Sequence, residues 1–204
     1  MLSRPDRDAG LSLVELAVAS AVTGVLLAAV GPVVLAVLGG FGHVQDASQV
    51  HDRGRVILDR LDRDLRQVSA LNRPTASGGR TYLEYLAATG AGTPTCTQWR
   101  YDPSAAQLAV RSWAVGSSAA PAWGTVAAGM VNAAGEPPFT VTPAGGTQLH
   151  QQLTVALRLR LPRDEALTRT VLTARNSSEA SPSNADADHD GLSDAPVCTT
   201  FGRT

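Results

Sequence analysis

The sequence predicts an α+β fold in which a long N-terminal helix, apolar in its first half and amphipathic in its second, packs on an antiparallel β-sheet. Three features of the chain point to this arrangement. Residues 16–41 carry no formal charge and are almost all Leu, Val, Ala, Gly or Phe. Residues 52–71 repeat apolar side chains with a helical period, and from Thr81 onward the period drops towards two. A helical stripe followed by half-apolar strands buries both by laying the stripe on the sheet. The chain has 204 residues, enough for one ordinary domain with an appendage but hardly for two. Its aromatic fraction is 4%, so Leu, Val and Ala are expected to build the core.

The first ten residues set Arg4 and Arg7 against Asp6 and Asp8. A secretory signal would instead carry a net positive start and a small-residue cleavage site behind a shorter apolar run. The uncharged stretch that follows would reach roughly 39 Å as a helix, enough to cross a ~30 Å hydrocarbon layer with some tilt. Glu15 stands at its beginning. A carboxylate at the centre of a membrane helix costs about 2.5–3.5 kcal/mol, less near an interface, so its presence implies a partner or a use. Small residues at four-residue spacing, Ala17 with Ala21 and Gly24 with Ala28, permit close helix contact. Gly31-Pro32 predicts a kink or local melting. In the second half Ile57, Leu58, Leu61, Leu65, Val68 and Leu71 form one stripe. Arg55 with Asp59, Asp59 with Arg63 and Asp62 with Arg66 are spaced for ion pairs on the other face. Gly39, Gly40 and Gly42 leave room for a break between the halves.

Asn72-Arg73-Pro74 is expected to end the helix, and residues 75–79 read as loop. Residues 81–87 form a strand candidate. Residues 98–101, the turn Asp102-Pro103-Ser104 and residues 107–111 read as a hairpin. Residues 116–146, rich in Ala, Gly and Pro, read as loops with one short helix and a brief strand at 138–141. Residues 152–161 alternate Leu153, Val155, Leu157, Leu159 and Leu161 with more polar neighbours, and a last strand covers 168–174.

The stretch Ala9-Gly10-Leu11-Ser12-Leu13-Val14-Glu15, joined in register to the apolar run, resembles the N-terminal signal of type IV pilins and pseudopilins. The resemblance implies cutting after Gly10 by a prepilin peptidase and methylation of the new Leu11 amine. It also implies retention of Glu15, whose carboxylate would pair with the Leu11 amine of a neighbouring subunit. Here the leader, 1–10, departs from the family in its two aspartates. Residues 11–42 would be the membrane and filament-core helix, 43–72 its amphipathic half, 73–180 a β-rich head and 181–204 an acidic tail. Residues 98–102, 108–111 and 171–176 loosely resemble segments of pilin-W and pseudopilin-J minor subunits. The implied partners are the peptidase, other pilin or pseudopilin subunits and the cytoplasmic membrane, with the N-terminus inside and the head outside. The implied function is that of a minor structural subunit of a pilus or of a secretion or DNA-uptake pseudopilus. A membrane-anchored adhesion or binding module is the alternative from a different class.

In the tail, Asp186, Asp188 and Asp190 alternate before Gly191, with Leu192 and Asp194 behind. Carboxylates so spaced can wrap a hard cation, with Gly191 allowing the turn and Leu192 offering its carbonyl. The pattern resembles the Ca2+ loops of EF-hand, dockerin and thrombospondin type 3 repeats, but Val197 replaces the closing acid. A modest site, in the range of about 10⁻⁴–10⁻³ M, or a solvated acidic tail are the two readings. Cys96 and Cys198 are the only cysteines. Outside the cytoplasm they can close a long loop worth about 4–5 kcal/mol by the chain-entropy argument, or they can remain two buried thiols. The chain has 17 basic residues, all Arg, against 18 acidic ones, which speaks against a nucleic-acid binder. Without Lys there is no Walker phosphate loop. The four His are scattered outside any metalloprotease spacing, no nucleophile elbow occurs, and an enzyme is not expected.

Overall fold

The computed structural model describes residues 12–88, 92–162 and 164–203, with only the backbone described for the helical residues 37–47 and 50. The chain divides into two compact units, Met1–Gln45 and Asp46–Thr204. Helix α1 is Leu13–Leu65. It continues through Pro32, so the melting expected at Gly31-Pro32 does not occur. Proline deletes one hydrogen bond of the ladder, and the cooperative bonds on either side carry the helix past it. Within the first unit the stretch Leu13–Ala36 has a mean hydropathy of 2.2 and none of it is buried. Its few polar groups are turned inward on the backbone: Ser20 donates to the Leu16 carbonyl (2.8 Å) and Thr23 to the Ala19 carbonyl (2.8 Å).

In the second unit Ile57, Leu61 and Leu65 are buried, the stripe that the period predicts. Val68 and Leu71 are buried too, but from a strand, since α1 stops at Leu65 and β1 (Val68–Leu71) begins three residues later. The boundary expected at residue 72 therefore moves forward. Gln67 N–H closes onto the Asp64 carbonyl at 3.0 Å, a tightened last turn, and the edge of a neighbouring strand then takes over the backbone groups. Of the three expected ion pairs on α1, only Asp62 with Arg66 forms among the described residues.

The remaining strands are β2 (Thr75–Ser77), β3 (Arg80–Ala87), β4 (Thr95–Asp102), β5 (Gln107–Ala114), β6 (Gly124–Ala128), β7 (Phe139–Thr142), β8 (Gln152–Leu161) and β9 (Asp164–Thr173). They form an antiparallel sheet in the order β1-β3-β4-β5-β6, with β2 paired to β3, and a second sheet β7-β8-β9. The loop expected at 75–79 is instead a hairpin, because Gly78 and Gly79 at φ 56° and 75° supply the two left-handed positions of a tight turn. The Ala- and Gly-rich segment 116–146 contains β6 as well as the anticipated strand, and no helix among its residues. At Gly129, φ 80°, the chain crosses from the first sheet to the second. Arg160 N–H donates to the Gly129 carbonyl and Val131 N–H to the Arg158 carbonyl, both at 2.8 Å. A Cβ there would lie 2.6 Å from the Arg160 carbonyl oxygen, so only glycine fits. Gln151 ties the sheets again, accepting from Leu71 N–H (3.1 Å) and donating to the Leu71 carbonyl (2.8 Å).

The alternation along β3, β4 and β5 gives the central sheet two distinct faces. Leu83, Tyr85, Trp99, Tyr101, Leu108 and Val110 join Ile57, Leu61 and Leu65 in one core. Cys96 and Trp113 point the other way and meet Cys198, with Val197 and Phe201 packed around them. The sheet is thus covered by the helix on one face and by the C-terminal tail on the other.

Candidate functional site

Three places carry chemistry: the start of α1, the acidic loop, and a cleft beside the end of α1. Gly10 and Leu11 lie outside the described residues. Ser12 and Glu15 form a reciprocal cap. Ser12 N–H donates to Glu15 Oε2 (3.1 Å) and Val14 N–H donates to Ser12 Oγ (3.3 Å). This is a variant of the Ser-x-x-Glu capping box in which the serine oxygen takes the second helical amide in place of the third, and the carboxylate also faces the positive end of the helix. The signal was present in the sequence as a spacing of three, and it gives Glu15 a local partner besides any subunit amine. Behind the cap, Leu13, Val14, Leu16, Val18 and Val22 are all more than half exposed. A contiguous unburied apolar surface of this kind needs lipid or other protein against it.

The acidic loop is pinned to the end of β1. Asn72 Nδ2 donates to the Val197 carbonyl (2.8 Å) and Val197 N–H donates back to Asn72 Oδ1 (2.9 Å). Arg73 N–H donates to Ser193 Oγ (3.0 Å), and the Arg73 guanidinium pairs with Asp186 (2.9 Å). Asp186, Asp188 and Asp194 each bring a carboxylate oxygen within 4.8 Å of the others, a cluster that could coordinate a divalent cation such as Ca2+. The oxygen-only donor set suits a hard cation, and Asp186 Oδ1 is buried with no hydrogen-bond partner. Asp190 is not among the converging ligands. It accepts from Leu192 N–H (2.7 Å), which closes the turn before Asp194. Val197, at the position of the missing closing acid, is held by Asn72 instead.

Cys96 and Cys198 form a disulfide with Cα atoms 5.3 Å apart. Beside it lies a buried polar network that no local pattern announces. Glu84, 1% exposed, accepts from Asn72 Nδ2 (2.9 Å), Gln98 Nε2 (2.6 Å) and both Arg203 Nε and Nη2 (3.0 and 2.9 Å). Gln98 Oε1 in turn accepts from Arg111 Nε (2.7 Å), and Arg111 Nη2 donates to the Gly202 carbonyl (2.8 Å). Each buried polar atom of the carboxylate thus has a donor, which offsets its desolvation.

On the helix face, a cleft of about 280 Å³ opens where Arg60, Arg63 and Gln67 overhang β3, β4 and β5. Its floor is internally satisfied. Trp99 Nε1 donates to the Tyr85 hydroxyl (3.0 Å), which donates to Asp64 Oδ2 (2.7 Å), and the hydroxyls of Thr97 and Ser112 bond each other at 3.0 Å. Burial, then the Asp64 charge, push the Tyr85 phenol well above its ordinary range, so it stays protonated as a donor. Arg60 rests 5.4 Å from the centre of the Trp99 ring. Sequence reading missed the cleft because its residues are scattered over four elements.

One apolar helix long enough to cross a membrane, continued as an amphipathic helix against an antiparallel sheet, is a pilin-like α+β architecture. No protein-family model, curated protein or solved structure matches this chain, so the architecture stands on its own geometry.

Proposed function

We propose that this protein is a minor pilin-like structural subunit, cut after Gly10 by a prepilin peptidase and built through its apolar helix into a type IV pilus or a secretion or DNA-uptake pseudopilus. The observation that carries the reading is Glu15 in the first turn of α1, at the start of its wholly unburied apolar stretch Leu13–Ala36 and five residues after Gly10. In an assembly the Leu11 amine of one subunit would meet the Glu15 carboxylate of the next in apolar surroundings, where the attraction is strong. The length of the head exceeds what a minimal shaft subunit needs, which supports a minor or priming position. Mass spectrometry of the membrane-extracted protein is expected to find Leu11 as its methylated first residue. An intact Met1 would sink the reading.

The Ser12–Glu15 capping box favours a second reading, a tethered adhesion or binding module in which Glu15 only caps a membrane anchor. Glu15→Gln separates the two. Glutamine keeps the reciprocal cap but carries no charge. If the amine pairing matters, assembly into sheared filaments fails in E15Q while cleavage persists. If E15Q assembles or functions as the parent does, the cap was the whole role of Glu15.

A further inference from the structure

We propose that the cleft at the end of α1 binds a carboxylate of a second copy of this chain, and that the occupant is the tip of its acidic loop, led by Asp190. The inference rests on the subunit reading above only for its setting; the chemistry is local. Arg60 and Arg63 form no ion pair with a carboxylate among the described residues. The acid in the cleft wall, Asp64, is engaged by Tyr85, so two guanidiniums face one carboxylate and the balance is positive. Thr97 and Ser112 on the floor already share a hydrogen bond, so a guest is met chiefly by the guanidinium forks and the Gln67 amide, donors matched to a carboxylate.

The same chain displays the complementary group. Asp188, Asp190 and Asp194 are exposed, but Asp188 and Asp194 converge with Asp186, which is itself tied to Arg73. Asp190 is exposed, accepts from Leu192 N–H at Oδ1, and has its Oδ2 in no described bond. The loop cannot fill its own cleft. Gln67 lines the cleft and Arg73 holds the loop, beyond opposite ends of β1 and at most about 20 Å apart at about 3.3 Å per residue. A cleft and a ligand set apart on the same chain can each engage a different neighbour, so the contact can repeat along a series of copies.

The test uses the full-length protein in its native membrane, with a benzophenone amino acid at Gln67 in one tagged copy and an untagged second copy. Ultraviolet cross-linking and peptide mass spectrometry are expected to join position 67 to residues 186–194 of the other copy. Arg63→Glu should lower that adduct at least tenfold, and adding Asp190→Arg to the partner copy should restore most of it. Arg63 is exposed and makes no described side-chain contact on which the fold depends. No adduct, an adduct on another surface or another protein, or one indifferent to R63E overturns the pairing. The N-terminus measured in the same sample keeps the two ideas apart: Leu11 first with no adduct sinks the pairing alone, and an adduct with Met1 intact sinks the subunit reading alone.

Discussion

On the face of the central sheet that meets α1, Ile57, Leu61 and Leu65 lie against Leu83, Tyr85 and Trp99, and the polar groups there, the Trp99-Tyr85-Asp64 chain and the Thr97–Ser112 pair among them, bond one another. On the opposite face the tail is held by a disulfide, the Glu84 network and the edge-to-face contact of Trp113 with Phe201, ring centres 5.2 Å apart. The first face is closed by area removed from water, the second by a covalent link and directional bonds over a thin apolar patch. Each face should therefore fail in its own way. Apolar packing is lost in proportion to volume removed, whereas a network with one buried carboxylate is lost when a single partner goes. Trp99 on the helix face and Trp113 on the tail face, each kept as the single tryptophan of a variant in which Trp123 and the other are replaced by Phe, supply a fluorescence reporter for each.

The largest effect is expected from the link. Replacing Cys198 by Ser opens a loop spanning a sequence separation of 102, and the chain-entropy argument puts the loss near 4–5 kcal/mol as an upper guide. In chemical denaturation of the detergent-extracted full chain, Trp113 should respond at lower denaturant than Trp99. Coincident transitions would show that the two faces are one cooperative unit. Next comes Glu84→Ala, which strands Arg203 and the Gln98 and Asn72 amides and should cost about 3–5 kcal/mol by the same measurement. A loss below 1 kcal/mol would mean that water replaces the carboxylate and that the network holds nothing. Leu61→Ala, wholly buried on the helix face, should cost about 2–5 kcal/mol, while Leu26→Ala on the unburied span should leave the head's midpoint unchanged.

The two faces also differ in how far they could be read from the sequence. The helix face was legible because its rule is local: Ile57, Leu61 and Leu65 recur at helical spacing, and the residues of β8 alternate. The same rule overran the end of α1, since Val68 and Leu71 continue a 3.6 period while sitting in a strand whose edge pairs with β3. The tail face was not legible. Asn72 with Val197 and Glu84 with Arg203 lie 125 and 119 residues apart, and nothing in the neighbourhood of either residue marks its partner. Cys96 and Cys198 signalled the connection only as one of two readings. In the acidic loop the alternating aspartates marked the cluster, but not that Asp190 would spend an oxygen on its own turn or that Arg73 would reach Asp186.

Acid should loosen the molecule at a third kind of join, the strand ends, with the smallest effect. Asp102 closes the β4–β5 turn, accepting from Ser104 N–H (3.0 Å) and Oγ (2.6 Å) and Ala105 N–H (3.1 Å) at Oδ1, and from Arg80 Nε (2.6 Å) at Oδ2. Those bonds, Ser104 first and then Arg80, hold its carboxyl well below the ordinary range. A depressed folded-state value contributes stability that is present above the unfolded value of about 3.9 and is lost as pH falls through the folded one. Glu136, lowered by its bond from Arg158, and Glu165, lowered by Arg160, act in the same direction from more exposed positions and should add little. The midpoint of thermal unfolding should therefore fall from about pH 4 downward. In Asp102→Asn it should start lower at neutral pH and fall less steeply, because the amide has no charge to lose. Parallel pH profiles for parent and variant would remove Asp102 as the source, and an early Trp113 response in acid would place the weak join on the tail face instead.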